Sequence, residues 1–211
     1  ATPSIGLVLD QSGSMYEYRV NGGATLNQHC VNDPQCRYRV MREALVGATG
    51  VVTQLETKAY FGASLYTCNP LGTNYIDTTT PRALNNAATI RTAIDSLTDD
   101  KGAGTPTHQA INQAIARFAQ APPPAGSPPA IVLATDGIPN DCGAGGGGPA
   151  ATVTAARAAF TAGIPVYVLS IGIASPHFQD VANAGGGHVQ GQPNIPYYVA
   201  QNAAQLQQAF Q

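Results

Sequence analysis

Two acidic loops carry the side chains of this sequence that could do chemistry. One reads Asp-Gln-Ser-Gly-Ser and supplies Asp10, Ser12 and Ser14; the other reads Thr-Asp-Gly and supplies Asp136. Carboxylate and hydroxyl oxygens suit a hard divalent cation, and Mg²⁺ takes few protein carboxylates and keeps several waters. Such a set leaves a coordination position free for an oxygen of a partner, so it predicts a binding device before a catalytic one.

Strands must bring these loops together. Ser4–Leu9 and Ala130–Ala134 are short apolar runs typical of buried strands, and an acidic loop follows each of them directly. Ligands of open α/β sheets bind at the carboxyl ends of the strands, so both carboxylates should lie at one edge. A Gly-rich loop that contains Thr105 and Thr107 enters a helix at the same edge.

The remaining pattern alternates strands and helices. Apolar runs and periodicity predict further strands over Lys58–Thr67, Asn74–Thr80, Pro165–Ile171 and Tyr197–Val199, and helices over Arg37–Leu55, Ile90–Leu97, Thr107–Ala119, Ala150–Ala162, Phe178–Ala184 and Ala203–Phe210. Continuous apolar strands that alternate with helices indicate a mainly parallel sheet. The fold class expected is therefore α/β, a Rossmann-like open sheet with one short antiparallel edge strand and helices on both faces.

Composition limits the possible partners. The 211 residues are 44% hydrophobic and 10% charged, with a formal net charge of -2. This length can bury a core, and the near-neutral balance disfavours nucleic acid as a partner. No apolar run approaches the ~20 residues of a membrane span, and the chain begins without a signal segment. The expectation is one soluble domain, mature or excised, over residues 1–211.

The cysteines indicate an oxidising compartment. Cys30, Cys36, Cys68 and Cys142 form no CxxC pair, so structural zinc is disfavoured. Three of them lie among polar or small residues, where free thiols would be unusual. Two disulfides are predicted, with three connectivities possible.

A catalytic interpretation is disfavoured. Ser12 or Ser14 as a nucleophile would need a base within reach, and no histidine is placed beside them with certainty. The G-x-S-x-G elbow and the phosphate-binding P-loop are absent. The expectation is that the protein is not an enzyme.

The order of the motifs resembles a known family. D-x-S-x-S after the first strand, a Gly-x-Thr loop about ninety residues later and an apolar strand that ends in TDG are together similar to the von Willebrand factor type A (VWA) domain. The resemblance extends from Ser4 to the last helix around Leu206. The fold of this family is shared with integrin inserted domains and many bacterial surface proteins.

The resemblance implies a metal-ion-dependent adhesion site. By position its ligands would be Asp10, Ser12, Ser14, Thr105 and Asp136, with Mg²⁺ as the metal and Ca²⁺ or Mn²⁺ able to replace it. A carboxylate of a partner protein would complete the coordination. Thr105 is preferred to Thr107 because it follows its glycine as the family's threonine does.

The resemblance also bears on the surroundings of the site. Residues 16–36 are expected to be an insertion near the metal-bearing edge. Cys68 is expected to pair with Cys142 at this edge, and Cys30 with Cys36 inside the insertion. Thr107 and Asp141 are possible supporting residues.

Two functions follow from the resemblance. The first is a non-enzymatic protein-binding module, extracellular, on the cell surface or periplasmic, and part of a larger surface protein. The alternative is an accessory subunit or domain that links components of a larger assembly, such as a chelatase or secretion or pilus machinery.

Overall fold

The computed structural model describes residues 1–24, 33–96, 104–143 and 147–209. Strands of this part of the chain form one sheet: β1 (Ser4–Asp10), β2 (Tyr60–Cys68), β3 (Tyr75–Ala83), β4 (Pro129–Thr135), β5 (Val166–Ile171) and β6 (Tyr198–Ala200). Their spatial order is β3-β2-β1-β4-β5-β6. Only the β2–β3 pair is antiparallel, and every other neighbouring pair is parallel. The predicted fold class is confirmed.

Helices follow or precede the strands throughout the described residues. They are α1 (Gly13–Glu17), α2 (Arg37–Val46), α3 (Val51–Leu55), α4 (Ala87–Asp95), α5 (Thr107–Gln120), α6 (Gly148–Thr161), α7 (Pro176–Gly185) and α8 (Ala203–Ala209). Within the ranges described, no helix combines the length and apolar character needed to cross a bilayer.

Two apolar layers cover the faces of the sheet. Leu7 and Leu9 of β1 belong to the cluster that α2, α3 and α4 complete, whereas Val8 between them belongs to the cluster of α5, α6 and α7. This alternation follows from the pleat, because successive side chains of a strand point to opposite faces. Since both faces are buried, β1 can be apolar without interruption, as the sequence has it.

The central strands define the edge where the site lies. β1 and β4 run parallel in a register that places Leu9 beside Ala134. The next residues, Asp10 and Thr135, are the last residues of their strands, and Asp136 follows β4 at once. The two acidic loops therefore leave the sheet side by side.

The prediction of a single helix over Arg37–Leu55 is wrong, because the structure has two helices, α2 and α3, in this range. α2 ends before Gly47, and α3 begins after Gly50. A β-carbon on Gly47 would lie 2.5 Å from the Glu43 carbonyl oxygen, and one on Gly50 would lie 2.5 Å from the Leu45 carbonyl oxygen. The connection is thus too tight for a side chain at positions 47 and 50, although apolar residues continue the helical period across it.

Residues 16–36 are expected to be an insertion, and both described ends of this stretch contact the rest of the domain. Its first residues continue α1, in which Met15 and Tyr16 are buried. Val20 is also buried, and Arg19 forms an isolated β-bridge with Cys36. Cys36 is disulfide-bonded. The partner expected for it, Cys30, lies outside the described residues.

The turn between α2 and α3 gives a first test. We expect Gly50→Ala to lower the free energy of unfolding by about 1–3 kcal/mol, because the added methyl group meets backbone that must shift. Chemical denaturation monitored by circular dichroism measures this. Gly23→Ala is the control, since its methyl group would lie 3.4 Å from the Asn21 side-chain oxygen. Equal effects of the two substitutions would contradict the explanation of the helix break.

Candidate metal centre

Asp10 ends β1 with its carboxylate fully buried and held at both oxygens. Oδ1 accepts a hydrogen bond from the backbone N–H of Ser12 at 2.8 Å. Oδ2 accepts one from the Thr135 hydroxyl at 2.6 Å. The first bond shapes the loop after β1, and the second joins it to the end of β4.

Asp136 is also buried and has two different partners. Its Oδ1 accepts a hydrogen bond from the Ser14 hydroxyl at 2.7 Å. Its Oδ2 lies 2.6 Å from Nη1 of Arg37, the first residue of α2. The side chains of Arg37 and Asp136 are 7% and 0% exposed, so this ion pair is shielded from water.

The two loop serines present a pair of neighbouring oxygens. Ser12 Oγ and Ser14 Oγ are 3.2 Å apart. Ligands of octahedral Mg²⁺ lie 2.0–2.1 Å from the metal, so adjacent ligand oxygens are about 3.0 Å apart. Because the Ser14 hydroxyl gives its hydrogen to Asp136, the Ser12 hydroxyl is the donor between the two serines, and Ser14 Oγ keeps one lone pair for another contact. The observed spacing fits two adjacent positions of such a cation.

Thr105 faces this pair from the loop before α5. A β-carbon built on Gly137 would lie 3.8 Å from both Ser14 Oγ and Thr105 Oγ1, so these hydroxyls flank the same small space. The backbone N–H of Thr105 donates to Asn140 Oδ1 at 2.6 Å. Asn140 thus fixes the Thr105 loop against the loop that follows β4.

Thr107 lies behind Thr105. Its hydroxyl is 3.0 Å from the hydroxyl of Tyr66, and it donates a longer bond of 3.4 Å to the Thr105 carbonyl oxygen. Thr107 is 1% exposed. The structure therefore places Thr107 where it supports the loop.

The Cys68–Cys142 disulfide is present and lies against the same loop. A β-carbon on Gly104 would come within 2.7 Å of Cys68 Sγ, so only glycine fits beside the sulfur. Asp141, next to Cys142, accepts a hydrogen bond at 2.8 Å from the backbone N–H of Gly147 before α6. Through this hydrogen bond Asp141 contacts the backbone that leads into α6.

Burial and like charge act on the two carboxylates. Burial, and next the charge of Asp136, raise the pKa of Asp10 to about 7, although hydrogen bonds from Thr135 and Ser12 oppose this. Burial also raises the pKa of Asp136, against the opposing effect of Arg37 and Ser14. Burial and the charge of Asp10 raise the pKa of Tyr66 well above its usual value. A cation would relieve this unfavourable concentration of charge.

The donor set fits a hard divalent cation. In the part of the chain that the structure describes, no three His, Cys, Asp or Glu side chains converge, so a metal here would depend on hydroxyl oxygens. Ser12, Ser14 and Thr105 would supply these oxygens, and Asp10 and Asp136 are hydrogen-bonded to the loop that carries the two serines. Oxygen ligands of this kind suit Mg²⁺, Ca²⁺ or Mn²⁺ better than softer metals.

Three residues of this arrangement were not predicted from the sequence. Thr135 could have been found, because it ends β4 next to Asp136 and opposite Asp10. Asn140 lies in a polar turn with nothing to mark it. Arg37 is 99 residues from Asp136 in the chain, and no spacing connects the two.

Comparisons with known proteins agree with this architecture. A family model described as the von Willebrand factor type A domain matches residues 4–211. No curated protein matches the sequence.

Several solved structures have the same fold. The manganese-loaded TRAP protein of Plasmodium vivax is 14% identical in sequence, with a TM-score of 0.61. The match covers 99% of this chain and 72% of the TRAP chain. The pilus adhesin SpaC of Lactobacillus rhamnosus GG is 17% identical in sequence, with a TM-score of 0.65. The match covers 100% of this chain and 30% of the SpaC chain. The PilB minor pilin of Streptococcus sanguinis is 18% identical in sequence, with a TM-score of 0.65. The match covers 99% of this chain and 59% of the PilB chain.

The disulfide gives a second test. We expect the double variant Cys68→Ser, Cys142→Ser to lose about 4 kcal/mol of free energy of unfolding, since the bond closes a long loop in the unfolded chain. The two cysteines are separated by 74 positions. Denaturant titration of the oxidised protein and the variant measures the difference. A variant as stable as the oxidised protein would contradict a stabilising role of this bond.

Proposed function

The chain belongs to the von Willebrand factor type A domain family, and from this premise we propose that it is a non-enzymatic, divalent-metal-dependent protein-binding module. The observation that carries the proposal is the pair of serine hydroxyls 3.2 Å apart, with Ser14 donating its hydrogen to Asp136. This arrangement supports a metal-ion-dependent adhesion site. The metal would be held near Ser12, Ser14 and Thr105.

Each residue has a distinct part in this proposal. The hydroxyls of Ser12, Ser14 and Thr105 would bind the cation, and Asp10 and Asp136 would balance its charge through hydrogen bonds or bound water. Asp10 keeps the first loop folded through its bond to the Ser12 backbone. A bound cation supplies a Lewis-acidic position for an oxygen of a partner, and a carboxylate is the partner group that we propose.

Mg²⁺ is the metal that we propose, with Ca²⁺ or Mn²⁺ able to replace it. The oxygen donor set and the 3.2 Å spacing of the serines support a small cation. A structural neighbour, TRAP of Plasmodium vivax, is described as manganese-loaded. This supports the proposal that a cation of this class binds here.

The cellular setting is part of the proposal. The Cys68–Cys142 disulfide is typical of proteins in oxidising compartments, so we place the chain outside the cytoplasm. Two structural neighbours are a pilus adhesin and a minor pilin, of which this chain spans 30% and 59%. We propose that the chain is likewise part of a larger surface protein.

The metal proposal has a direct test. We expect Asp10→Ala and Ser14→Ala each to weaken Mg²⁺ binding by at least about tenfold in titration calorimetry, because each removes a support of the oxygen set. Ser127→Ala is the matched control. Ser127 precedes β4 at the opposite edge of the sheet, where its hydroxyl bonds to the Thr2 carbonyl oxygen. Unchanged Mg²⁺ binding in the Asp10 variant would disprove the site.

A second candidate function is an accessory component that links parts of a larger assembly, and the minor pilin neighbour favours it. Intracellular components of this kind, such as chelatase subunits, do not need disulfides. We expect the native chain to resist alkylation by iodoacetamide until reductant is added, because its cysteines are paired. Intact-mass measurement checks this. Immediate alkylation of all four cysteines would favour an intracellular accessory component.

A further inference from the structure

A buried arginine occupies the back of the proposed metal site. Nη1 of Arg37 contacts Oδ2 of Asp136 at 2.6 Å, on the carboxylate oxygen that Ser14 does not use. Its Nε donates to the Arg19 carbonyl oxygen at 3.3 Å. Its guanidinium carbon lies 5.3 Å from the centre of the Tyr18 ring. The segment after α1 therefore holds the guanidinium in place.

Helix stability does not explain this position. Arg37 is the first residue of α2, where the helix dipole disfavours a positive charge. It is also 6% exposed, and taking a guanidinium out of water is unfavourable unless it is closely paired. Its placement makes physical sense mainly in relation to the two buried carboxylates.

The charges of the site support this interpretation. Asp10 and Asp136 contribute two negative charges when ionised, and Arg37 contributes one positive charge. A divalent cation therefore enters a site with a net charge of minus one instead of minus two. In a buried environment such a difference acts strongly on a bound ion, because screening by water is reduced.

We propose that Arg37 is a built-in counter-ion and positioning residue of the metal site. It turns Oδ2 of Asp136 away from the serine hydroxyls, so that Asp136 acts on the cation through Oδ1 and Ser14 or through water. It ties the loop of Asp136 to the segment after α1 when no metal is bound, and it weakens the affinity for the metal. This inference rests on the proposed metal-dependent function and adds the residue that sets the affinity.

The test compares two arginines of the same helix. Arg37→Met removes the charge and keeps much of the apolar stem. Arg42→Met is the matched control, because Arg42 pairs with Asp95 and Glu43 near the surface of the molecule. Arg37→Lys keeps the positive charge and tests whether charge is what matters. Each protein is titrated with MgCl₂ by calorimetry, and its melting temperature is measured in EDTA and in MgCl₂.

We expect Arg37→Met to bind Mg²⁺ at least about tenfold more tightly than the unsubstituted chain, since an opposing charge is removed. Its melting temperature should fall in EDTA and recover in MgCl₂. The Arg42 variant should keep the original affinity, and Arg37→Lys should stay close to it. A variant that folds only with Mg²⁺ would also support the proposal.

Equal or weaker Mg²⁺ binding by Arg37→Met would overturn the inference, as would a variant that remains unfolded with and without Mg²⁺. These outcomes differ from failure of the proposed function. If the unsubstituted chain does not bind Mg²⁺ but Arg37→Met does, the metal-dependent function is wrong for the natural chain and the counter-ion role stands. If neither protein binds Mg²⁺, both proposals fail.

Discussion

Two carboxylates that must lie close together inside the protein constrain one end of this molecule. Asp10 ends β1 and Asp136 follows the neighbouring parallel strand β4, and both residues are almost completely buried. Buried like charges repel strongly, so each oxygen needs a donor or a cation. The surrounding residues answer this need. Thr135 and the Ser12 backbone bond to Asp10, while Ser14 and Arg37 bond to Asp136.

The same constraint explains why the supporting loops are so closely tied. Glycine at position 104 leaves room for the Cys68 sulfur and the Asn140 side chain beside the Thr105 loop, because a β-carbon there would lie 2.7 Å from each. Asn140 joins the loop before α5 to the loop after β4, and the Cys68–Cys142 disulfide joins the latter to the end of β2. The loop before α5, the loop after β4 and the end of β2 are thereby held together.

The sequence predicted the strands and the acidic loops well because both depend on short-range patterns. An apolar run that leads into Asp10, or into Thr135 and Asp136, indicates a buried strand and the end of the sheet at which its loop lies. Interactions that depend on tertiary contact left no such pattern. Arg37 reaches Asp136 across 99 positions of the chain. Between α2 and α3 the backbone turns so tightly that a β-carbon at position 47 or 50 would clash, and the apolar period does not reveal this turn. The error over Arg37–Leu55 therefore has a local steric cause.

The disulfide also bears on how the chain would respond to mechanical force. Cys68 and Cys142 are 74 positions apart in the sequence, and β3, α4, α5 and β4 lie between them. An extended chain spans about 3.3–3.6 Å per residue, so roughly 250 Å of contour length lies behind this bond. A pull applied to the chain on either side of the two cysteines could not extend that length while the bond is intact. Force would pass through the covalent link, and the loops that hold Thr105 and Asp136 would stay tethered to each other even if the outer strands separated.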